Sequence, residues 1–201
     1  ALYGALFQAS NGWLPVCPGH VLVRQPILAP CRCLIQQKGS FMTTLNVLPI
    51  LERRRIQAEV VKPIYEALKA ESGEETAKRV IGAAIIAAAI DEGREFAREH
   101  GENGGIEGFL SFQHLWDADG ALETEVIKEA DNEYVYKVTR CRYAEMYKDM
   151  GVGEIGFQLS CNRDGTFVEG YDPRIRFKRT QTIMQGASHC DFHYSMSGDD
   201  T

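Results

Sequence analysis

The chain has 201 residues, 44% of them hydrophobic and 25% charged, with a formal net charge of −6. These values suit one globular domain with a core of its own and exclude a disordered or fibrous chain. An acidic balance also gives no counterion-release drive toward nucleic acid, so a nucleic-acid partner is not expected.

The charge is unevenly spread. Residues 1–41 hold three of the 22 basic residues (Arg24, Arg32, Lys38) and none of the 28 acids, leaving 19 against 28, a balance of −9, for residues 42–201. The same stretch carries Pro15, Pro18, Pro26 and Pro30 with Cys17, Cys31 and Cys33. Prolines this dense oppose regular structure, because each fixes its own φ and restrains the residue before it. Residues 1–41 fit neither an Arg- and Ser-rich transit peptide nor a secretory signal with a basic start and an apolar core. They read as a non-native or unstructured extension, with the domain over residues 42–201 and Cys31-x-Cys33 discounted as a metal pair. Without a secretory signal, a cytoplasmic protein with free thiols is expected.

From Met42 the first half reads as helical. Ile56, Val60, Ile64 and Leu68 recur every four residues, which stacks them on one helix face, with Pro63 expected to kink it. Ser72 and Glu75 have capping-box spacing for a second helix that ends before Gly101. Val80 to Ile90 is an apolar, Ala-rich run of eleven residues. A bilayer needs about 20, so the run reads as a buried core helix and no membrane partner is expected. The basic patch from Glu52 to Arg55 reads as a solvated helix face.

After a glycine-rich hinge (Gly101 to Gly105) and a short segment from Phe109 to Trp116, the pattern changes. Residues 122–129 and 134–140 alternate apolar and polar side chains around Asp131-Asn132-Glu133, the signature of an antiparallel hairpin. Arg142 to Met150 suits a short helix closed by Gly151, and Gly153 to Cys161 suits either helix or strand. Arg174 to Ile183 and Cys190 to Ser195 read as strands. The fold class is α+β, with N-terminal long helices packed on a C-terminal antiparallel sheet in a single domain.

Reactive side chains gather in this second half. Cys141 ends one strand and Cys190 begins another, so both can converge with Cys161, where an inert buried thiol is the simpler reading of each taken alone. A thiol attacks carbon only as thiolate, and a cation such as Arg140, Arg142, Arg163 or Arg179 would favour that form. Cys161-Asn162-Arg163-Asp164 is the tightest such group, although Asn-Arg-Asp-Gly is also what an ordinary solvated turn looks like. His189, Asp191 and His193 share one face of the last strand by alternation, and Cys190 the other. Cys190 should therefore point inward. The three polar residues leave a divalent metal open as a cofactor, with a solvated edge strand as the plainer account.

The residues Cys141, Gly156-Phe157-Gln158-Leu159-Ser160-Cys161-Asn162-Arg163-Asp164, Arg179-Thr180-Gln181-Thr182-Ile183-Met184-Gln185-Gly186 and Cys190-Asp191-Phe192 resemble the L-2-amino-thiazoline-4-carboxylic acid hydrolase family. The likeness spans residues 42–201. The trailing glycine, cysteine and aromatic are also similar to small-molecule-binding domains of the vinyl-reductase-like type. The first resemblance implies a hydrolase that opens a small cyclic amidine to N-carbamoyl-cysteine, read here as cleavage of a non-peptide C–N bond. It implies Cys161, Asp164, Cys190 and Asp191 as catalytic candidates, with Arg179 clamping a substrate carboxylate and Thr180, Thr182 and Cys141 contacting substrate. The alternatives are a non-catalytic small-molecule-binding or sensor domain and a structural partner protein. A small molecule is the expected partner, and the apolar helices make a homodimer plausible.

Overall fold

A computed structural model describes residues 48–100 and 104–197. The expectations for residues 1–41 and for most of the hinge lie outside them. The chain forms α1 (Ile50–Ser72), α2 (Glu74–His100), α3 (Gly105–Asp117), β1 (Leu122–Ala130), β2 (Glu133–Cys141), α4 (Arg142–Asp149), α5 (Asn162–Tyr171), β3 (Ile175–Lys178) and β4 (Cys190–Met196). The four strands make one antiparallel sheet in the order β1-β2-β4-β3, and the helices complete an α+β domain.

The hairpin forms as its alternation predicts, with Ala130 paired to Glu133 across the turn. Its second strand buries Tyr134, Tyr136 and Val138 on one face. β1 departs from the half-buried expectation: it is an edge strand, and its residues are exposed from Glu123 onward.

Several local expectations are corrected. Helix α1 runs on through Pro63, and its buried residues are Ile50, Arg54, Ala58 and Tyr65. The stripe chosen from spacing faces outward at its middle, with Val60 61% and Ile64 48% exposed, while Ile56 and Leu68 are half-buried and Leu68 packs against the core. The two stripes differ by two positions, about 200° around a helix, and periodicity alone could not choose between them because the buried one contains an arginine. Ser72 ends α1 rather than capping α2; the break is made by Gly73, whose φ of 82° suits glycine. The Ala-rich run is buried along one face only, at Ile81 and Ala89, while Ala83, Ala84, Ala87 and Ala88 stay exposed. The strand expected over residues 174–183 stops at Lys178. Residues 153–161 are helical, ending in a π-helical turn from Phe157 to Cys161 that runs directly into α5. Asn162 to Gly165 is the first turn of that helix rather than a solvated loop.

Two apolar cores result. One joins α1, the start of α2 and α4, around Tyr65, Ile81, Tyr147 and Ile155. The other joins α3, α5 and the inner face of the sheet, around Phe109, Phe112, Tyr136 and Phe167. Trp116, Leu122 and Cys141 pack against both. Helices α2 and α5 meet at Gly93 and Gly170, where an added Cβ would fall 2.1 Å from the carbonyl oxygens of Phe167 and Ile90 respectively. That close approach sets α2 and α5 side by side at the seam between the cores.

Candidate active site

The seam holds a two-lobed chamber. Each lobe has a volume of about 50 Å³, measured over the positions a water centre can occupy, room for a handful of waters or a compact heterocycle. Arg54, Trp116, Leu122, Arg163, Asp164 and Phe192 line both lobes and form their junction. One lobe adds Cys141, Cys161, Cys190, Ser160 and Arg179. The three thiols therefore converge as their places in the sequence allow, and all three are free.

The π-helical turn explains how Ser160, Cys161, Arg163 and Asp164 all reach one chamber. A π turn advances the chain by an extra residue per bond, which rotates the side chains entering α5 toward the cavity. Arg179, just beyond β3, completes the group: its Nη1 donates to Asp164 Oδ2 and its Nη2 to the Cys161 carbonyl at 2.9 Å. The guanidinium lies over the rings of Phe157, Phe177 and Phe192, 5.3 to 5.7 Å from their centroids. Held by a carboxylate, a carbonyl and three rings, Arg179 is a fixed part of the wall.

The junction carries a second charged group that the sequence reading did not find. Arg54, only 4% exposed, donates through Nη2 to Glu92 Oε2 at 3.0 Å and Oε1 at 3.3 Å, and through Nη1 to Gln57 at 3.1 Å. Arg163 donates to the same Glu92 Oε2 at 3.2 Å and, through Nε, to the Leu159 carbonyl at 3.1 Å. The expectation that Glu52 to Arg55 is a solvated patch thus fails at Arg54, which turns inward. Among the charged residues lining the chamber, three arginines face two acids. One positive charge is left over, a standing attraction for an anionic ligand.

Electrostatics separate the roles. Desolvation raises the Asp164 carboxyl above its ordinary range, only partly offset by Arg179. Its side chain keeps 23% accessibility, but it lines both lobes, so that surface belongs to the chamber and earns little hydration. A carboxyl raised in this way is a stronger base than an exposed aspartate, which suits proton transfer. Burial also pushes Cys141 up to about 11, against the pull of the Ala144 and Tyr143 amides, and pushes Cys161 far above the thiol range. Cys190, whose sulfur accepts the Ile183 amide at 3.2 Å, is raised as well. The expectation that a nearby arginine activates the thiols is corrected here: Arg179 does favour the Cys161 thiolate, yet desolvation outweighs it. Desolvation and the Arg54 charge lower Arg163 to about 10, leaving it a cation at neutral pH.

These shifts predict slow alkylation. At pH 8 the Cys141 thiol should react with iodoacetamide about 10²-fold more slowly than an unfolded cysteine, with a rate that keeps climbing tenfold per pH unit through pH 10. A rate that levels off below pH 8, followed by peptide mass spectrometry, would contradict the assignment.

The remaining sequence candidates lie outside the chamber lining. Asp191 accepts the Thr180 amide at 3.0 Å, the Thr180 hydroxyl at 2.7 Å and the Gln181 amide at 2.8 Å. Burial alone would raise its carboxyl, but these donors hold it below the usual value, and it ties the loop after β3 to β4. Thr182 is 2% exposed and exchanges hydrogen bonds with Gln185. His189 Nε2 lies 2.8 Å from the Gln181 side-chain nitrogen Nε2, and His193 Nε2 lies 2.9 Å from Glu133 Oε1. Among the described residues no three His, Cys, Asp or Glu side chains form a group able to hold a metal ion, and none of the helices is long and apolar enough to cross a membrane. Cys190 points inward, as strand alternation predicts.

The described residues thus form an α+β domain with a charged chamber between two cores. The sequence matches the profile of the L-2-amino-thiazoline-4-carboxylic acid hydrolase family over residues 53–194, and the chain belongs to that family. None of the curated proteins matches it significantly. Among solved structures, the phenol-responsive sensory domain of the transcription activator PoxR, crystallised with phenol, is similar at 11% identity and a TM-score of 0.46, over 69% of this chain and 73% of that one.

Proposed function

We propose that this protein hydrolyses a small cyclic amidine that carries a carboxylate, of the 2-amino-thiazoline-4-carboxylate kind. The observation that carries the reading is the surplus arginine charge at the junction beside a desolvated Asp164, in a chain of this family. Arg54 and Arg163 take the substrate carboxylate, each contributing charge-assisted hydrogen bonds. Arg179, which the resemblance marks as the carboxylate clamp, instead anchors Asp164. The amidine ring then lies in the thiol lobe with its central carbon near Asp164.

The chemistry follows from proton balance. Asp164 in its ionised form accepts a proton from water as the oxygen adds to the amidine carbon and passes that proton to the ring nitrogen, which regenerates the carboxylate. The resulting tetrahedral carbon bears one oxygen, two nitrogens and the ring sulfur. A thiol has a pKa of about 8.5, whereas an unprotonated nitrogen would have to leave as an amide anion, so sulfur is the group that leaves; the hydroxyl on the tetrahedral carbon gives its proton through Asp164 to that sulfur as the carbonyl forms. Both nitrogens stay on the carbon and the product is N-carbamoyl-cysteine. The bond that opens is therefore C–S, where the sequence reading assigned C–N. The protonated thiols of the chamber supply polarisable walls for the ring sulfur and compete poorly with water as nucleophiles.

The reading is tested with 2-amino-thiazoline-4-carboxylate and the same ring lacking the carboxylate. Wild-type protein should prefer the carboxylate strongly, and Arg54→Gln should raise KM for it about 10- to 100-fold with a smaller change in kcat, as expected for a lost charge-assisted contact of about 1.5–3 kcal/mol. Saturable binding without turnover would replace this reading with that of a small-molecule-binding domain. Equal turnover of both rings would remove the carboxylate clamp.

A further inference from the structure

The second lobe has no task in that reaction. Apart from the junction, its walls are Glu92, Phe109, Gln113, Tyr136, Phe167 and Tyr194. Four of these six are aromatic, Glu92 is held at the junction edge by Arg54 and Arg163, and the Tyr136 ring stacks on the Phe192 ring of the junction at 4.7 Å with 10° between planes. Phe109 and Tyr194 lie 4.8 Å apart on the same lobe. Protein interiors pack densely and an unfilled apolar hollow costs stability, so a lobe kept open beside the reacting centre calls for an occupant. Widened by the radius of a water on every side, its volume accommodates one planar six-membered ring. Ring faces and edges of this kind favour another aromatic group over an aliphatic one of equal size.

Resting on the reading above, we infer that the substrate class is a cyclic amidine carboxylate with an aryl substituent on the ring carbon next to the one bearing the carboxylate. Its carboxylate sits on Arg54 and Arg163 at the junction. The heterocycle enters the thiol lobe, and the aryl group enters the aromatic lobe. Gln113, the one uncharged polar side chain among these walls, sets how long that aryl group can be.

The test uses two aromatic analogues that resist ring opening, 2-aminothiazole-4-carboxylate and its 5-phenyl derivative, with binding to the intact protein followed by calorimetry. Burying one ring should make the phenyl compound bind about 10- to 100-fold more tightly. Gln113→Trp, which fills the lobe, should cancel that gain and leave the affinity of the unsubstituted compound within about twofold. Equal or weaker binding of the phenyl compound to wild-type protein overturns the inference, whatever the variant does. If the unsubstituted thiazoline is hydrolysed while the phenyl analogue is rejected, the aryl inference alone fails. If the phenyl analogue binds tightly but no thiazoline is turned over, the hydrolase reading fails and the aromatic lobe stands. If neither compound binds, both are wrong.

Discussion

Asp164→Asn should lower kcat for thiazoline opening by about 10²- to 10⁴-fold, the range for removing a general base. The substitution also leaves Arg179 a buried cation without its carboxylate partner, and breaking a buried pair costs about 3–5 kcal/mol. Activity and stability therefore need separate readouts. Asp164 works as base when ionised, and burial has raised its carboxyl. Wild-type kcat should thus fall as pH drops through a value above the ordinary carboxylate range, because the protonated form accepts no proton. The residual activity of the folded Asn variant should be flat across that window. A variant that is merely less folded would keep the acid limb of its profile, and that outcome would assign Asp164 to structure alone.

Gly170→Ala should produce the largest loss of stability. Its Cβ would fall 2.1 Å from the Ile90 carbonyl oxygen, 2.9 Å from the carbonyl carbon and 3.0 Å from the Ile90 Cα. All three are backbone atoms of α2, so no side chain can swing aside and the helices must separate. Overpacking typically costs about 1–3 kcal/mol, and more where backbone must move; here the upper end or beyond is expected in urea unfolding. Because α2 carries Glu92 and α5 carries Arg163 and Asp164, the wedge also displaces the junction, and a misplacement near 1 Å can cost about 10²-fold in rate. A wild-type urea midpoint would show that α2 and α5 do not meet as described.

How far the sequence discloses the site depends on the kind of signal each residue leaves. Strand alternation announced the hairpin and turned Cys190 inward, because a period of two assigns faces without reference to the rest of the fold. The convergence of Cys141, Cys161 and Cys190 was readable as a consequence of strand ends. Arg54 was hidden for the opposite reason: on an isolated helix, an arginine flanked by Arg53 and Arg55 belongs with water. Only the presence of Glu92, 38 residues away and on the facing helix, makes its burial tolerable. The wrong stripe on α1 has the same origin, since hydrophobic periodicity counts a buried arginine against the true inner face. Glu92 left one faint trace, as the second of two acids that follow an apolar helical run, directly before a glycine that permits close helix contact. Asp164 and Arg163 looked like a turn because Asn-Arg-Asp-Gly favours turns, while the π-helical approach that carries them into α5 has no sequence period of its own. Asp191, Thr180 and Thr182 attracted attention by residue type. Their hydrogen bonds run from the loop after β3 to β4 and to Gln185, where they fix the segment that delivers Arg179.

The most direct measurement is product analysis after incubating the purified protein with L-2-amino-thiazoline-4-carboxylate in water enriched in oxygen-18. The account predicts N-carbamoyl-cysteine with one heavy oxygen in its carbamoyl group, one free thiol per turnover and no ammonia. Release of ammonia, or an absence of turnover from protein that binds the substrate, would contradict it.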